Sequence, residues 1–460
     1  MLDRDKTRDI FARIRRLSSA DELELMVSGG RSALTRFANN VITQNVAEEN
    51  AEASLRVVFD GRTARAGTNR FDEESLRRLV QQAEALAKVQ QRDPGLLPVP
   101  SSEEAGSELA PSRWFEETAA VDARQRAEAV GGMVRAAKRE GLTAAGIFAV
   151  SEHMEALLNS AGLDRYYAQT SAESSITMLA ANSSGWQKSN SPDVRQIDAS
   201  ALAARAAEKA KRSANPKELA PGKYTVILEP AAVLDLVGFM FWDFGGTALV
   251  DQRSFLNNRV GQKIFGGNIT IYDDVCHALQ SGPPFDGEGV RRQRVQLVKD
   301  GVAKHLVYAR GTARQIAAHP ELAAQLGTVQ PTGHGFPLPN EIGEAPLNIV
   351  FETPGETSTL EQMVSETERG VYVTRLWYIR EVDPYEKILT GMTRDGTFLV
   401  ENGKLQHGIL NFRFNESLLH MLSNVTAMGS PMRASGEEAF DMVVPAMKVN
   451  EFNFTEVTKF

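Results

Sequence analysis

The stretch VLDLVGFMFWDFGG, residues 233 to 246, decides how this chain is read. It follows a strand-like run, GKYTVILE (222 to 229), and Pro230 stands where a helix would begin. Proline suits a first helical turn, because the N–H it lacks would find no intrahelical partner there. The pattern predicts a helix over 230 to 244 that is apolar nearly all the way round. Val233, Val237, Met240, Phe241 and Phe244 fall on one side, and Leu234, Phe239 and Trp242 on another. Only Asp235 and Asp243 in it are ionisable. A buried helix straight after a strand, at the head of a domain, is where many enzymes place their chemistry. A single β-rich domain seldom needs both apolar sides, so part of this surface is expected to meet a partner.

The rest of the chain sets the frame for that helix. With 460 residues it is too long for one ordinary core, and two or three domains are expected. The 51 basic residues against 59 acidic give a net charge of −8 with no basic tract, which argues against nucleic acid as the main ligand. The longest basic cluster, Arg291-Arg292-Gln293-Arg294, reads as a solvated turn or strand edge. One cysteine, Cys276, excludes an internal disulfide and fits a reducing compartment. The amino-terminal MLDRDKTRDIFARIRRL is a charged amphipathic helix without an apolar leader region, so a cytoplasmic protein is expected. The most apolar run is the one quoted above. It falls well short of the ~20 residues a membrane span needs, so no membrane partner is expected.

Two seams divide the chain into an expected α+β arrangement: two small α/β-sandwich-like blocks, then a β-rich carboxy-terminal domain. The first seam, RDPGLLPVPSSEEAGSELAPS (92 to 112), reads as a linker. Residues 1–91 before it contain an amino-terminal helix, a hairpin turning at Asp60-Gly61, and the helix DEESLRRLVQQAEALAKV with Leu76, Leu79, Val80, Ala83 and Leu86 on one stripe. Residues 113–214 show a similar order, strands around GIFAVSEHMEALLNSAG and SSITMLAANSSG between two helices, a faint internal echo. The second seam is SANPKELAPGK (213 to 223). Residues 221–460 carry mostly strand signals, among them the alternation through Val371, Val373, Arg375, Trp377 and Ile379 and Asp-Gly or Asn-Gly turns in LVKDGVAKHLVYAR and TRDGTFLVENGKLQHG. GETSTLEQMVSETERG (355 to 370) predicts a helix with Ser358 and Glu361 as a capping box and Gly370 as its C-cap.

Chemistry-bearing patterns are scarce. No two of the seven histidines have the spacing of helical metal ligands, and no HExxH, CxxC, GxSxG, P-loop or GxGxxG occurs. Asp273, Asp274, Cys276 and His277 cluster in sequence, but neighbours on a strand point to opposite faces. A core thiol beside an exposed imidazole is the expectation there. His334, between glycines in TGHGFPLP, sits where function is more plausible, although a structural turn accounts for it too.

PGETSTLEQMVSETERGVYVTRLW, the Thr390-Gly391 that follows, and the ending GMTRDGTFLVENGKLQHGILNFRFNESLLHMLSNVTAMGS resemble the carboxy-terminal domain of the TldD/PmbA (TldE) peptidase family. The two amino-terminal blocks match it in size and order, so the likeness covers nearly the whole chain. The family has two kinds of subunit. The resemblance implies that TldD-like subunits are metallopeptidases with an HExxxH motif on the helix after the first strand of the last domain, and a distal Cys as a further ligand. Histidines five residues apart lie about 140° apart on a regular helix, so that helix must distort for both to meet one metal. Laid on this chain, the ligand positions hold Leu234 and Phe239, the general-base position holds Asp235, and Gly238 precedes the second ligand position. No His or Cys occurs between 229 and 254, and MGSPMRASGEE (428 to 438) offers no distal Cys. Zinc takes N, S or O ligands, which Leu and Phe cannot supply.

The resemblance therefore implies a TldE-like subunit with no catalytic residue, no metal site and no cofactor of its own. Its expected partner is a TldD-like HExxxH subunit carrying zinc, together forming a heterodimeric metalloprotease that cleaves peptides or unfolded proteins. A homodimer is expected when the chain is alone. The alternatives are a homodimeric binding or regulatory protein without peptidase role, and an independent enzyme using Asp235, Asp243, Asp273 or Asp274. Candidates for contact with peptide or partner are Gly238 and Trp242 on the helix, His334 in its loop, and Thr374, Arg375 and Gly391 in the family-like segments.

Overall fold

The computed structural model describes residues 1–107 and 111–458; positions 108–110 of the expected linker and 459–460 lie outside the described residues. Helix α1 (Arg4–Leu17) starts at Asp3, whose side chain accepts the Lys6 N–H, and leads into strands β1 (Glu22–Ala38), β2 (Val41–Phe59) and β3 (Arg62–Thr68). The β2–β3 turn is Asp60-Gly61, at φ 46° and 71°, the left-handed pair that matches the twist of a two-residue hairpin. Helix α2 (Glu73–Val89) closes this half. The second half repeats the order: a short α3 (Glu116–Ala119), then α4 (Ala123–Arg139), β4 (Thr143–Asn159), β5 (Asp164–Leu179), β6 (Ser184–Ser191) and α5 (Ala199–Arg212).

The internal echo has a structural meaning. The strands form one six-stranded sheet in the order β3-β2-β1-β4-β5-β6, with β1 and β4 antiparallel at its centre. Each half is a three-stranded meander, and the two are related about the β1–β4 seam. Residues of one parity, such as Leu25, Val27 and Phe37 on β1 and Phe148, Met154 and Leu158 on β4, are buried beneath the helices, α1 and α2 over one half and α4 and α5 over the other. The other parity, including Met26 and Leu157, faces the carboxy-terminal domain. The stretch read as a linker is docked into this junction. Val99 and Ala105 are buried, Asn159 donates to the Pro100 carbonyl at 2.8 Å, and Arg165 donates to the Ala105 carbonyl at 3.0 Å.

The carboxy-terminal domain opens with β7 (Gly222–Leu228) and α6 (Pro230–Val237). Strands β8 (Thr270–Asp273), β9 (Val295–Lys299), β10 (Val302–Ala303) and β11 (Ile349–Glu352) follow, then the long hairpin β12 (Arg369–Asp383) and β13 (Ile388–Glu401). The chain ends with β14 (Lys404–Gly408), β15 (Phe412–Ser417), β16 (Val425–Met428), β17 (Met432–Ala434), β18 (Met442–Val444) and β19 (Met447–Val457). One sheet runs β10-β9-β8-β11-β18-β17. In the other, β12, β7, β19, β15 and β13 pair in turn and β13 returns to β12, a closed circuit that leaves those strands no free edge. The domain is the β-rich part of an α+β fold.

Several local expectations shift. The helix read over 355–370 is Leu360–Ser365, capped by Thr359 with Gln362 in a reciprocal box, one residue beyond Ser358 and Glu361. Gly370 is not its C-cap but lies in β12, where a Cβ would come within 2.4 Å of the Thr225 carbonyl on β7. Asp300-Gly301 and Asn402-Gly403 make turns as read, whereas Asp395-Gly396 lies inside β13 at φ 55° and 127°. Arg292 of the basic cluster is buried and donates to the Asn348 side chain at 3.0 Å. Cys276 is exposed, in the turn after β8, so the expected core thiol is not found.

Candidate functional site

The segment that opened the sequence reading is two pieces of helix. Residues 230–237 are α-helical, and from Gly238 to Phe244 the backbone tightens into a 3-10 helix. Gly238 marks the change because the chain packs directly on it: a Cβ there would lie 2.3 Å from that of Ala439. Leu234, Val233, Val237, Met240, Phe241 and Phe244 are fully buried in one core cluster with residues of both sheets. The domain therefore covers the Val233 side and Leu234 itself, because two sheets close over the helix. Only Trp242, 49% exposed, and Phe239, half-buried, remain at the surface.

Asp235 points away from solvent. Its Oδ1 accepts the backbone N–H groups of Glu437 and Glu438 at 3.2 and 3.1 Å, and its Oδ2 is buried without a hydrogen-bond partner. Burial pushes this carboxyl up to about 7, with the two N–H groups and Arg375 opposing the rise. Gly436 is required beside it, since a Cβ would sit 2.2 Å from Oδ1. Asp235 thus pins the 435–438 loop across the helix. Asp243 is paired with Lys387 at 2.5 Å, and Lys387 reaches Glu381 at 2.6 Å, all three at the wall of a cavity of about 670 Å³. Burial raises the Asp243 carboxyl against the pull of Lys387. Gly238, Phe239, Trp242 and Glu437 also line this cavity. Among the described residues, no three His, Cys, Asp or Glu side chains gather as a set that could hold a metal ion.

The remaining candidates do not converge. His334 is buried and bonds Asp273 Oδ1 through Nε2 at 2.9 Å and Thr332 through Nδ1 at 3.0 Å. Asp273 also accepts the Asn348 N–H. Burial alone would raise the Asp273 carboxyl, but His334 and Arg292 outweigh it and hold it below its ordinary value. This places Asp273 in a structural pair and separates it from Cys276. Thr374 donates its hydroxyl to the Asp395 carbonyl at 3.0 Å. Arg375 is buried against Asp395 at 3.1 Å, with the rings of Trp186 and Trp377 within 5 Å. Gly391 gives room to Phe414, whose ring a Cβ would meet at 2.8 Å. Thr374, Arg375 and Gly391 are packing elements and offer no face to a peptide or partner.

Family models cover almost all of this architecture. Residues 221–456 match the PmbA/TldA metallopeptidase C-terminal domain, 23–87 match domain 1 and 116–214 match the central domain. The chain belongs to the PmbA/TldD metallopeptidase family. Metalloprotease PmbA of Escherichia coli O157:H7 is 25% identical over 240 residues, 51% of this chain and 47% of that protein, so the match spans about half of that relative's length. A metalloprotease of Methanothermobacter thermautotrophicus is 24% identical over 330 residues, 68% of each chain. TldE from Thermococcus kodakarensis has the same fold, with a TM-score of 0.84 at 21% identity, covering 98% of this chain and all of that one.

In this family member, sequence reading missed Lys387 in this site and, elsewhere in the carboxy-terminal domain, the buried carboxylates of Asp286 and Glu288. Asp286 accepts the N–H groups of Glu288, Val290 and Gly335. Burial, with Glu288 beside it, pushes its carboxyl up to about 7. A sequence signal did exist in FDGEGV, two acids spaced by glycines. Nothing in the sequence links Lys387 to Asp243, 144 positions away.

Proposed function

We propose that this chain is the metal-free, TldE-like subunit of a heterodimeric peptidase whose zinc and catalytic residues lie on a TldD-like HExxxH partner, and that the pair cleaves peptides or unfolded proteins. The observation that carries this reading is the use of the α6 helix. At the positions that the family likeness assigns to the two metal ligands stand Leu234, in the core, and Phe239, at a cavity wall. Asp235, at the general-base position, is turned into the 435–438 loop, where its carboxyl serves as a backbone anchor. A zinc ion does not fit these side chains, which offer it no nitrogen or sulfur and a carboxylate already engaged. No catalytic step is assigned to this chain.

Its role is then that of a wall. The Phe239 and Trp242 surface beside the 670 Å³ cavity is the part of the helix left open to a partner subunit or to bound peptide. Among the described residues, no helix is long and apolar enough to cross a membrane. A cytoplasmic setting suits a sequence with a single cysteine, Cys276. Co-expression with an HExxxH family member from the same cell, followed by size-exclusion chromatography with light scattering, tests the assembly. A 1:1 complex is expected, and a homodimer when this chain is made alone. Two separate peaks, with the partner's peptide cleavage unchanged by this chain, would leave the homodimeric binding protein instead.

A further inference from the structure

A second cavity, about 500 Å³, lies between the uncovered face of the six-stranded sheet and two loops of the carboxy-terminal domain. Its floor is apolar: Met26 from the sheet, and Phe285, Phe336, Pro337 and Leu347 from the loops. At its edge the sheet register sets one row of side chains across three strands. Ser28 of β1 stands opposite Glu52 of β2 on one side and Glu155 of β4 on the other. Strands are about 4.8 Å apart, so the backbones of the two glutamates lie about 10 Å apart with a hydroxyl between them. Ser28 Oγ already donates to Glu52 at 3.2 Å, and Glu155 Oε1 meets His153 Nε2, also in the lining, at 3.0 Å, so an incoming ammonium takes the place of that half-exposed imidazole. The next row on the same face centres on Met26, two residues or about 7 Å along the strand. Arg292 lines the same cavity at 9% exposure, and its Nε–H has no hydrogen-bond partner.

We propose that this cavity binds the amino-terminal residue of a peptide, its apolar side chain over Met26 and Phe336, its α-ammonium between Glu52 and Glu155, and its carbonyl oxygen on Arg292 Nε. The three features fit one ligand because an amino-terminal residue carries ammonium, side chain and carbonyl on a single Cα. A lysine side chain would instead fill the apolar floor with its own stem before its ammonium reached an acid. Two carboxylates favour a cation, the floor favours an apolar group, and a buried unpaired N–H favours an acceptor. The proposal deepens the peptide-handling reading above and rests on it for the class of ligand. Phe336 also stacks on Trp242 at 6.0 Å between ring centroids, so the cavity adjoins the exposed end of the 238–244 segment.

The test uses the whole chain alone and reads binding, not cleavage, so its failure is separable from failure of the subunit assembly. Octapeptides labelled at the carboxyl end are compared by fluorescence polarisation: one starting with Phe and a free amine, its N-acetylated twin, and an acetylated twin with Lys second. The free-amine peptide should bind at least tenfold tighter than either acetylated form. Changing Glu52→Gln and Glu155→Gln together, both at solvent-accessible positions, should abolish that preference. An Asp-initial peptide with a free amine should bind at least tenfold more weakly than the Phe-initial one. Equal binding of the free and acetylated peptides by the unaltered chain would overturn the proposal. So would recovery of full affinity by the lysine twin, or a preference that survives in the double variant.

Discussion

Replacing Asp235 with Asn should stabilise the protein above neutral pH and lose that benefit in acid. In the folded chain the carboxyl is raised from its ordinary 3.8 to about 7, chiefly by burial. At about 1.4 kcal/mol per pH unit, holding it ionised costs the fold about 4 kcal/mol at pH 8. The sign follows from proton binding. Between roughly pH 4 and 7 the folded state holds a proton that the unfolded chain has released, so stability falls as pH rises through that window. Asn keeps an oxygen for the Glu437 and Glu438 N–H groups, but its amide N–H groups take the place of the unpartnered Oδ2. Leaving those donors buried costs about 1–3 kcal/mol, so a net gain of about 1–3 kcal/mol is expected at pH 8. By pH 5 the gain should vanish or reverse. Urea unfolding of both proteins at pH 5, 6, 7 and 8 measures the difference, in which other titrating groups such as Asp286 cancel. A difference independent of pH would refute the reasoning, because Asp235 would then not titrate in this range.

Leu234→His should destabilise by about 2–5 kcal/mol, since it places a polar ring in a fully buried core position, whereas Phe239→His, at a cavity wall, should cost about 1 kcal/mol or less; thermal unfolding distinguishes them. Neither change, nor both together, should confer zinc binding by isothermal titration calorimetry, because no distal Cys is present. Lys387→Met should cost about 3–5 kcal/mol at neutral pH by leaving Asp243 buried without its cation, and adding Asp243→Leu should recover much of the loss.

What the sequence makes legible and what it hides divide along the range of the interaction. The helix over 230–244 is readable because apolar residues and Pro230 speak for themselves, but its tightening at Gly238 depends on Ala439, two hundred residues on. Asp60-Gly61 is a local turn and appears as read, while Asp395-Gly396 has the same letters and becomes an irregularity inside β13 because Thr374 bonds its carbonyls. The cap of the 360–365 helix slips by one residue because Ser358-Thr359 and Glu361-Gln362 satisfy the same pattern in two registers. The repeated hairpin-then-helix order of the amino-terminal halves is visible, but not the third strand of each or that β1 and β4 join them into one sheet. Arg292 and Asp235 read as a surface charge and a shortened acid; tertiary packing buries one against Asn348 and turns the other into a loop anchor.

The measurement that bears most directly on the subunit reading is zinc content, taken by elemental analysis on this chain alone and on its complex with an HExxxH family member. The account predicts well under one zinc per molecule and no peptide cleavage for the chain alone, and one zinc per pair of chains, with cleavage, for the complex. Stoichiometric zinc on the isolated chain, removed by a chelator together with a peptidase activity, would contradict it.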